Sequence, residues 1–541
     1  MVNQFVRDLK REFSDYNKTV LMKDLLSGLT VAAVALPLAL AFGVASGADA
    51  ASGLVTAIFG GIIIGLLGGA SFQISGPTGT MVAILIPISV RYGVEAVLVV
   101  TLISGVTLLI AALLKVGRIV AIIPSAVLTG FTAGISILIA FSQVDNFFGT
   151  TSSGDTVIQK FNSYIQNGFH IQWQPLFFGL LVIAIILMWP KKWGAKVPAT
   201  LVAIIITLII NIVGPFDVAE VGEIPRSLIL EKRLNFSALR LEIIKTFIVP
   251  GISVAALVMI ESLLSGAAGS KMTKERFNGD RQLVAQGIGN IILPFVGGVP
   301  AAAAIARSSV AIKSGSKTRI TGVVHSLALL ASMFLLSPMM GRIPLSALAG
   351  VLMVTAWRMN DWESAVSFFK NRFKGPIGKY IVTMIATVVF DLTAAILIGI
   401  ALSMVIFVVT SSSIEITVAN IDQRHESGKN ITEKMSKVKL VYVTGQLFFG
   451  SQDQLLTTIE SIEGAEVIIL SVRGVPSIDH SAMLVLENLY RDLSKKGVKL
   501  LFSGLQPMVK SRFYRAGFDK VVGENAIFNN AVEAIDSLVQ G

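Results

Sequence analysis

From residue 24 to residue 411 the sequence is a succession of apolar runs, each long enough to cross a lipid bilayer or half of one. They lie near 24–45, 53–69, 76–90, 95–114, 119–141, 175–189 and 197–213, and again near 244–266, 282–297, 300–312, 318–339, 343–357, 379–390 and 392–411. Seven runs and then seven more predict a polytopic bundle of fourteen transmembrane helices, spanning 24–414. Of the 541 residues, 53% are hydrophobic and only 15% charged, and the mean hydropathy is +0.74. A soluble protein of ordinary composition is far more polar. The chain has no cysteine, which excludes disulfides, thiolate metal sites and cysteine nucleophiles. Its four histidines leave little room for a histidine metal centre.

The net charge of +11 does not point to nucleic acid, because the Lys and Arg residues gather in short loops between the apolar runs. With the N-terminus inside, the inner loops carry Lys115/Arg118, Lys191/Lys192/Lys196, Lys271/Lys274/Arg276, Lys313/Lys317/Arg319 and Lys370/Arg372/Lys374. The outer loops at 142–174 and 214–243 are mixed in sign and hold Asp145, Asp217, Glu220 and Glu223. This bias predicts that both termini are cytoplasmic. The opening segment, residues 1–23, contains VNQFVRDLKREFSDYNK and reads as an amphipathic surface helix. No small-residue cleavage site follows it, so it is not a removable signal.

Two short stretches stand out, ISGPTGTMVAI at 74–84 and GVPAAAAIARS at 298–308. Pro suits the first position of a helix, where its missing N–H would be unpaired anyway. Both therefore predict helices that begin abruptly at Pro77 and Pro300, deep in apolar surroundings. Helix N-termini carry partial positive charge and unpaired N–H groups that attract anions. Two of them at membrane depth predict a transporter site built from broken helices. Arg307 is then expected about two turns into the second helix, with Ala303 and Ala304 leaving space beside it.

An internal repeat supports this division. Thr30-Val31-Ala32-Ala33 matches Ser253-Val254-Ala255-Ala256 at an offset of 223, as do Gly43 with Gly266 and Pro77 with Pro300. Ile123-Pro124, Leu128 and Gly130 match Ile343-Pro344, Leu348 and Gly350 at an offset of 220. A repeat of seven spans must have opposite topology in its two copies. That predicts repeats at 24–214 and 244–414, with the site at their interface.

Beyond residue 414 the character changes. The polar segment 415–436 reads as a linker with an entering strand. After it, KVKLVYVTGQLFFG, AEVIILSVRGVPSI, SAMLVLENLYRDLSKKG and VKLLFSGL alternate strand-like and helix-like patterns. They predict a small cytoplasmic α/β domain over 437–541.

In these motifs the chain resembles the sulfate permease (SulP) family of anion transporters, which includes the vertebrate solute carrier family 26. The resemblance rests on LPLALAFGVASG at 36–47, ISGPTG at 74–79, ESLLSGAAG at 261–269, VPAAAAIARSSV at 299–310 and IPLSALAGVL at 343–352. In the tail, VPSIDHSAMLVL at 475–486 resembles the STAS domain. The resemblance covers essentially the whole chain. It implies two inverted repeats folded into core and gate domains, a homodimer, and elevator-type alternating access.

The same resemblance assigns candidate residues. Arg307 would neutralise a bound anion; the competing reading is an arginine that snorkels to a membrane surface. Glu261 is the one acidic residue in its apolar run, and burying its charge is costly. The resemblance gives it a role in proton coupling, or with Ser265 in sodium coupling. A plain structural partner for Arg307 is the third reading. Thr78, Gly79 and Thr80 read either as packing residues or, beside Pro77, as anion ligands. Phe42, Leu38 and Ala306 align with positions that line the family's pocket. Some relatives carry polar or hydroxyl residues where this chain has Leu38, Ala302 and Ala306, which predicts a more apolar pocket. In the tail, Ser481 aligns with the phosphorylated serine of anti-sigma-factor antagonists. With His480 before it and Ala482 after it, Asp479 or Ser481 reads better as a helix N-cap.

These readings predict a secondary transporter of the inner membrane for a small anion (bicarbonate, sulfate or a dicarboxylate). Proton symport is expected; sodium coupling, an uncoupled channel or exchanger, nucleobase–proton symport and a membrane-anchored STAS signalling protein are the alternatives. No catalytic triad, phosphate loop or dinucleotide fingerprint is present; GQLFFG at 445–450 lacks the needed glycines. No enzyme activity, cofactor or metal is expected. The partners are the anion, a proton or sodium ion, the lipid bilayer and a second copy of the chain, not nucleic acid.

Overall fold

The computed structural model describes residues 2–117, 124–154, 157–190, 197–235, 241–390, 392–421 and 437–540. Arg118, Lys191, Lys192 and Lys196 of the inner-loop pattern lie outside the described residues, as does 422–436 of the expected linker. The chain divides into two compact units, Met1–Ile400 and Ala401–Gly541. That division falls inside the last apolar helix rather than after it.

Among the described residues fourteen apolar helices follow one another in the order expected. In the first half they are α1 (Lys18–Ala45), α2 (Ala50–Leu67), α3 (Gly79–Tyr92), α4 (Val94–Leu113), α5 (Ser125–Ser142), α6 (Trp173–Met188) and α7 (Ala199–Val213). In the second half they are α8 (Leu241–Thr273), α9 (Gly279–Val296), α10 (Ile305–Lys313), α11 (Ile320–Met340), α12 (Leu345–Met359), α13 (Lys374–Val389) and α14 (Leu392–Ser411). Helices α3 and α10 are the short members of their halves. Two two-residue strands, β1 (Ser75–Gly76) and β2 (Ala302–Ala303), precede them and pair antiparallel.

The inverted repeat is visible in the packing, where the main contacts of α4, α11, α12 and α13 recur with the halves exchanged. Helix α4 packs on α8 and α9, and correspondingly α11 packs on α1 and α2. Helix α13 lies against α5, and α12 against α6. Where α1 meets α2 the backbones nearly touch: a Cβ on Gly43 would sit 2.7 Å from Gly53 N. Small residues permit this approach in a membrane, where close van der Waals packing rather than exclusion of water holds helices together.

One pair of repeat markers survives and another does not. Pro124 and Pro344 occupy the same place, each the N-cap of its helix, α5 and α12. Pro77 and Pro300 do not. Helix α3 begins at Gly79 with Thr78 as N-cap, whereas α10 begins at Ile305 with Ala304 as N-cap. The starts are 226 residues apart, not 223, and neither proline initiates its helix. In the second half Ala302 and Ala303, between Pro300 and the helix, are drawn into the β1–β2 pairing, whereas in the first half β1 lies before Pro77 and only Thr78 separates that proline from the helix. Arg307 is consequently in the first turn of α10 and not two turns in, and Ala303 is a strand residue.

One face of the membrane unit is tied to the N-terminal helix Val2–Glu12. Arg281 at the start of α9 pairs with Asp8 at 2.7 Å, and Arg319 before α11 pairs with Glu12 at 2.8 Å. Both guanidinium groups lie over the Phe5 ring and bond backbone oxygens at the end of α2, Gly68 O and Leu66 O. The N-terminus thus lies on the same face as the basic loops after α8 and α10. Asp24, fully buried near the start of α1, accepts from Lys317 N at 2.7 Å, Thr318 N at 3.1 Å, Thr318 Oγ1 at 2.6 Å and Thr321 Oγ1 at 2.9 Å. It fixes, from another helix, the turn that leads into α11. Asp24→Ala strands those donors in a buried site, an expected loss of about 2–4 kcal/mol, read as a lower melting temperature in detergent. On the opposite face Asn211 donates to Glu220 Oε1 at 2.7 Å and to Arg342 O at 3.0 Å.

The second unit is a five-stranded sheet of β3 (Glu415–Asn420), β4 (Val438–Thr444), β5 (Val467–Gly474), β6 (Lys499–Ser503) and β7 (Ile527–Phe528), in that order. Strand β3 is antiparallel to β4 and the rest are parallel. The first residues of the expected linker, 415–420, are therefore an edge strand of this sheet. Helices α15 (Gln452–Glu460), α16 (His480–Lys495), α17 (Pro507–Arg515) and α18 (Ala531–Gln540) cover it. Asp479, not Ser481, caps α16: its Oδ1 accepts from Ala482 N at 2.7 Å. A carboxylate accepts that bond better than a hydroxyl and suits the positive end of the helix.

Candidate functional site

Strands β1 and β2 cross at the centre of the membrane unit with Ser75 opposite Ala303 and Gly76 opposite Ala302. From this crossing α3 and α10 run to opposite faces, so their N-termini come together. Neither receives a side-chain cap, and the first N–H groups of a helix have no partner within it, although Met81 N turns back to Thr78 O at 3.2 Å.

Arg307, in the first turn of α10, is only 2% exposed. Its Nη2 donates to Pro77 O, across the crossing, at 2.9 Å, and its Nη1 is buried with no protein partner. The guanidinium lies over Gly76, where a Cβ would stand 2.5 Å from Nη1. Only glycine admits it. A snorkelling arginine ends in water or headgroups, and this one does not.

Glu261 on α8 reaches the other half-helix. Its Oε2 accepts from Thr78 Oγ1 at 2.9 Å and from Thr80 Oγ1 at 2.5 Å, and the two hydroxyls are 2.9 Å apart. Thr78 spends its hydroxyl here instead of capping α3. Among the described residues no ion pair joins Glu261 to Arg307. The carboxylate therefore belongs to α3 and the guanidinium to α10. Ser265 does not join Glu261: its hydroxyl donates to Ser308 Oγ at 3.3 Å, and Ser308 in turn accepts from Ile74 N at 3.2 Å.

The remaining candidates fall around the same point. The Phe42 ring faces the first residue of α3, its Cε1 3.1 Å from where a Cβ on Gly79 would be. Gly79 is buried, Leu38 is half-buried against the apolar core, and Ala306 is exposed at the start of α10. Thr78, Gly79, Thr80, Phe42, Arg307 and Glu261 are thus assembled at the crossing, with Ala306 at its open side and Ser265 behind it.

Sequence reasoning missed a polar stripe behind the crossing, two of whose residues, Gln286 and Asn290, bond it directly. On α9, Gln282, Gln286 and Asn290 recur every fourth residue and are all fully buried. Asn290 Oδ1 accepts from Ala301 N at 2.8 Å and its Nδ2 donates to Ala301 O at 3.0 Å. With the Gln286 amide turned to match its surroundings, its nitrogen donates to Ala301 O at 3.0 Å and its oxygen accepts from Ser262 Oγ at 2.9 Å and Ser75 Oγ at 3.2 Å. Ser262 Oγ in turn accepts from Ala303 N at 3.1 Å. Gln282 accepts from Gly69 N at 2.8 Å, in the loop before β1. From the other side, Thr56 on α2 accepts from Val299 N at 2.8 Å. The signal was present as a stripe of three polar residues, four apart, inside an apolar run.

Residues 21–378 match the model of the Sulfate permease family, and residues 430–534 match the STAS domain. The chain belongs to the sulfate permease family. YvdB of Bacillus subtilis, which its name assigns to sulfate transport, is 32% identical over 96% of this chain and 98% of its own. The bicarbonate transporter BicA of a Picosynechococcus species is 28% identical over 96% of this chain and 94% of its own. Among solved structures, the transmembrane domain of a cyanobacterial BicA superposes with a TM-score of 0.63 at 27% identity, over 70% of this chain and 98% of that one. Murine solute carrier 26 family member A9, in its inward-facing state, superposes at 0.86 with 15% identity, over 98% of this chain and 93% of that one. The family is one of membrane transporters of small anions, so this chain is a transporter and not an enzyme.

Proposed function

We propose that the crossing of β1 and β2 is the anion site of a proton-coupled symporter. Arg307 carries the reading: a buried guanidinium, held by one hydrogen bond, with Nη1 unpaired between two uncapped helix N-termini. Each N-terminus contributes about half an elementary charge and Arg307 one. With Glu261 ionised the site carries about +1, and with Glu261 protonated about +2. A proton on Glu261 therefore makes the site more attractive to an anion, and an anion makes it more attractive to a proton. The coupling is reciprocal by linkage.

The substrate is a small anion, bicarbonate or sulfate by the names of the relatives, with dicarboxylates as the third class. Leu38, Ala302 and Ala306 present no hydroxyl to it, which favours a compact, weakly hydrated contact over a web of side-chain bonds. The core carrying the crossing (α1–α4 and α8–α11) slides against the gate (α5–α7 and α12–α14) in an elevator motion. The chain sits in the inner membrane with both termini cytoplasmic and works as a homodimer. Initial uptake into proteoliposomes tests this with labelled bicarbonate, sulfate and a dicarboxylate. At least one is expected to enter faster as external pH falls, with no change when sodium is replaced by potassium. Uptake of none of the three overturns the reading. Strict sodium dependence with a flat pH profile would instead make Glu261, Thr78 and Thr80 a cation site.

A further inference from the structure

The half-helices could bind an anion only if the unwound chain before them keeps its shape. Two-residue strands do not supply that on their own. Each strand of the β1–β2 pair leaves its outer backbone groups without a strand partner, and a buried unpaired N–H or C=O costs about 1–3 kcal/mol. The amides of α9 fill that place. Asn290 offers one acceptor and one donor to the N–H and C=O of the same residue, Ala301, which is how a neighbouring strand would pair with it. Gln286 bonds Ala301 O one turn away and, through Ser262, reaches Ala303 N; it also holds Ser75 of β1. Helix α9 thus works as a third strand made of side chains.

We infer that Asn290 and Gln286 are positioning residues for anion binding: they fix Ala301–Ala303, and through it the start of α10 and the guanidinium of Arg307. Arg307 lies six residues after Ala301, and it has a single backbone anchor, Pro77 O, on the other strand's side of the crossing. A shift of β2 against β1 moves the guanidinium relative to Gly76, whose backbone it approaches too closely for a Cβ. Gln282 is the internal control. It is as buried as the other two and on the same face, but it bonds Gly69 N, in the loop leading to β1, and touches the crossing only at second hand, its Nε2 donating to Gln286 Oε1 at 3.2 Å.

This inference rests on the anion-site reading, and its test separates the two. Full-length Asn290→Leu, Asn290→Ser and Gln282→Leu proteins are purified in detergent. Bicarbonate and sulfate affinities are measured by titration calorimetry, and amide hydrogen exchange is followed in peptides covering 298–308. Asn290→Leu is expected to weaken anion binding about tenfold or more, since two hydrogen bonds of about 1 kcal/mol each are lost at the crossing. Gln282→Leu is expected to lower the melting temperature while holding affinity within about twofold. Asn290→Ser keeps a polar side chain, covers the case in which the leucine variant fails to fold, and is expected to speed exchange at 300–304. Wild-type affinity in both Asn290 variants, or an equal loss in Gln282→Leu, overturns the assignment. A wild-type protein that binds neither anion would remove the anion reading instead. Exchange at 300–304 would then still decide whether Asn290 holds the crossing: faster in Asn290→Ser supports it, unchanged overturns it.

Discussion

Arg307→Ala leaves the protein folded in detergent and reduces anion affinity by about 100-fold or more. The fold should survive because Arg307 makes a single protein hydrogen bond, to Pro77 O, and the pairing of β1 with β2 is independent of it. Removing a buried, unpaired cation even relieves a desolvation cost. Binding should not survive. Hydrogen bonds from a charged donor contribute about 1.5–3 kcal/mol each, and two such bonds to one anion give about two to four powers of ten in affinity. Without the guanidinium the two helix N-termini supply about +1 in total, which an ionised Glu261 cancels. Arg307→Lys keeps the charge but not the planar fork and is expected to fall in between. Titration calorimetry on the purified variants, with melting temperature as the folding control, is the measurement. Unchanged affinity in Arg307→Ala would remove the site from the crossing altogether.

How much of this could be read from the residues depends on the kind of signal. Long apolar runs and inside-positive loops constrain the helices strongly, because a bilayer tolerates little else, and all fourteen appear in order. Pro124 and Pro344 mark equivalent helix starts because nothing else competes for the chain there. Pro300 misleads because the β1–β2 pairing takes Ala302 and Ala303 and delays α10 to Ile305, while Pro77 directly follows β1 and stands one residue before the N-cap of α3. That displacement changes Arg307 from a mid-helix residue to a first-turn residue beside the other half's backbone. Pairing across more than two hundred residues leaves no local trace in the sequence. Ser265 illustrates the same limit from the other direction. It is one turn from Glu261 on α8, yet its hydroxyl serves Ser308, while the partners of Glu261 come from Thr78 and Thr80, nearly two hundred positions away. Helical spacing gives candidates on one face; it does not choose which of them meets a distant segment. Gln282, Gln286 and Asn290 were legible as a stripe, but a polar stripe in an apolar helix has several uses, and only the unpaired backbone of β2 selects among them.

Glu261→Gln should bind anion at least as well as the wild type at neutral pH and lose the pH dependence of uptake. Glutamine keeps the shape and one carbonyl oxygen, so Thr78 and Thr80 retain an acceptor at the position of Oε2, and the fold of α3 against α8 is preserved. Electrically the substitution is a permanent copy of the protonated state. The site then carries about +2 at every pH rather than switching between about +1 and about +2. Linkage sets the sign: if anion binding is tighter when Glu261 is protonated, wild-type affinity must rise as pH falls through its titration. Below that range the wild type and the variant should bind alike; above it the wild type should fall away and the variant should not. Transport separates the coupling role from a merely structural one. A symporter that cannot release its proton mimic should still exchange anion for anion, because the loaded site can cross. It should not concentrate anion against a gradient, because the return of the empty site would carry an uncompensated charge. Counterflow retained with net uptake abolished is the expected pattern in proteoliposomes. A variant that keeps a wild-type pH profile of net uptake would place the coupling proton on some group other than Glu261.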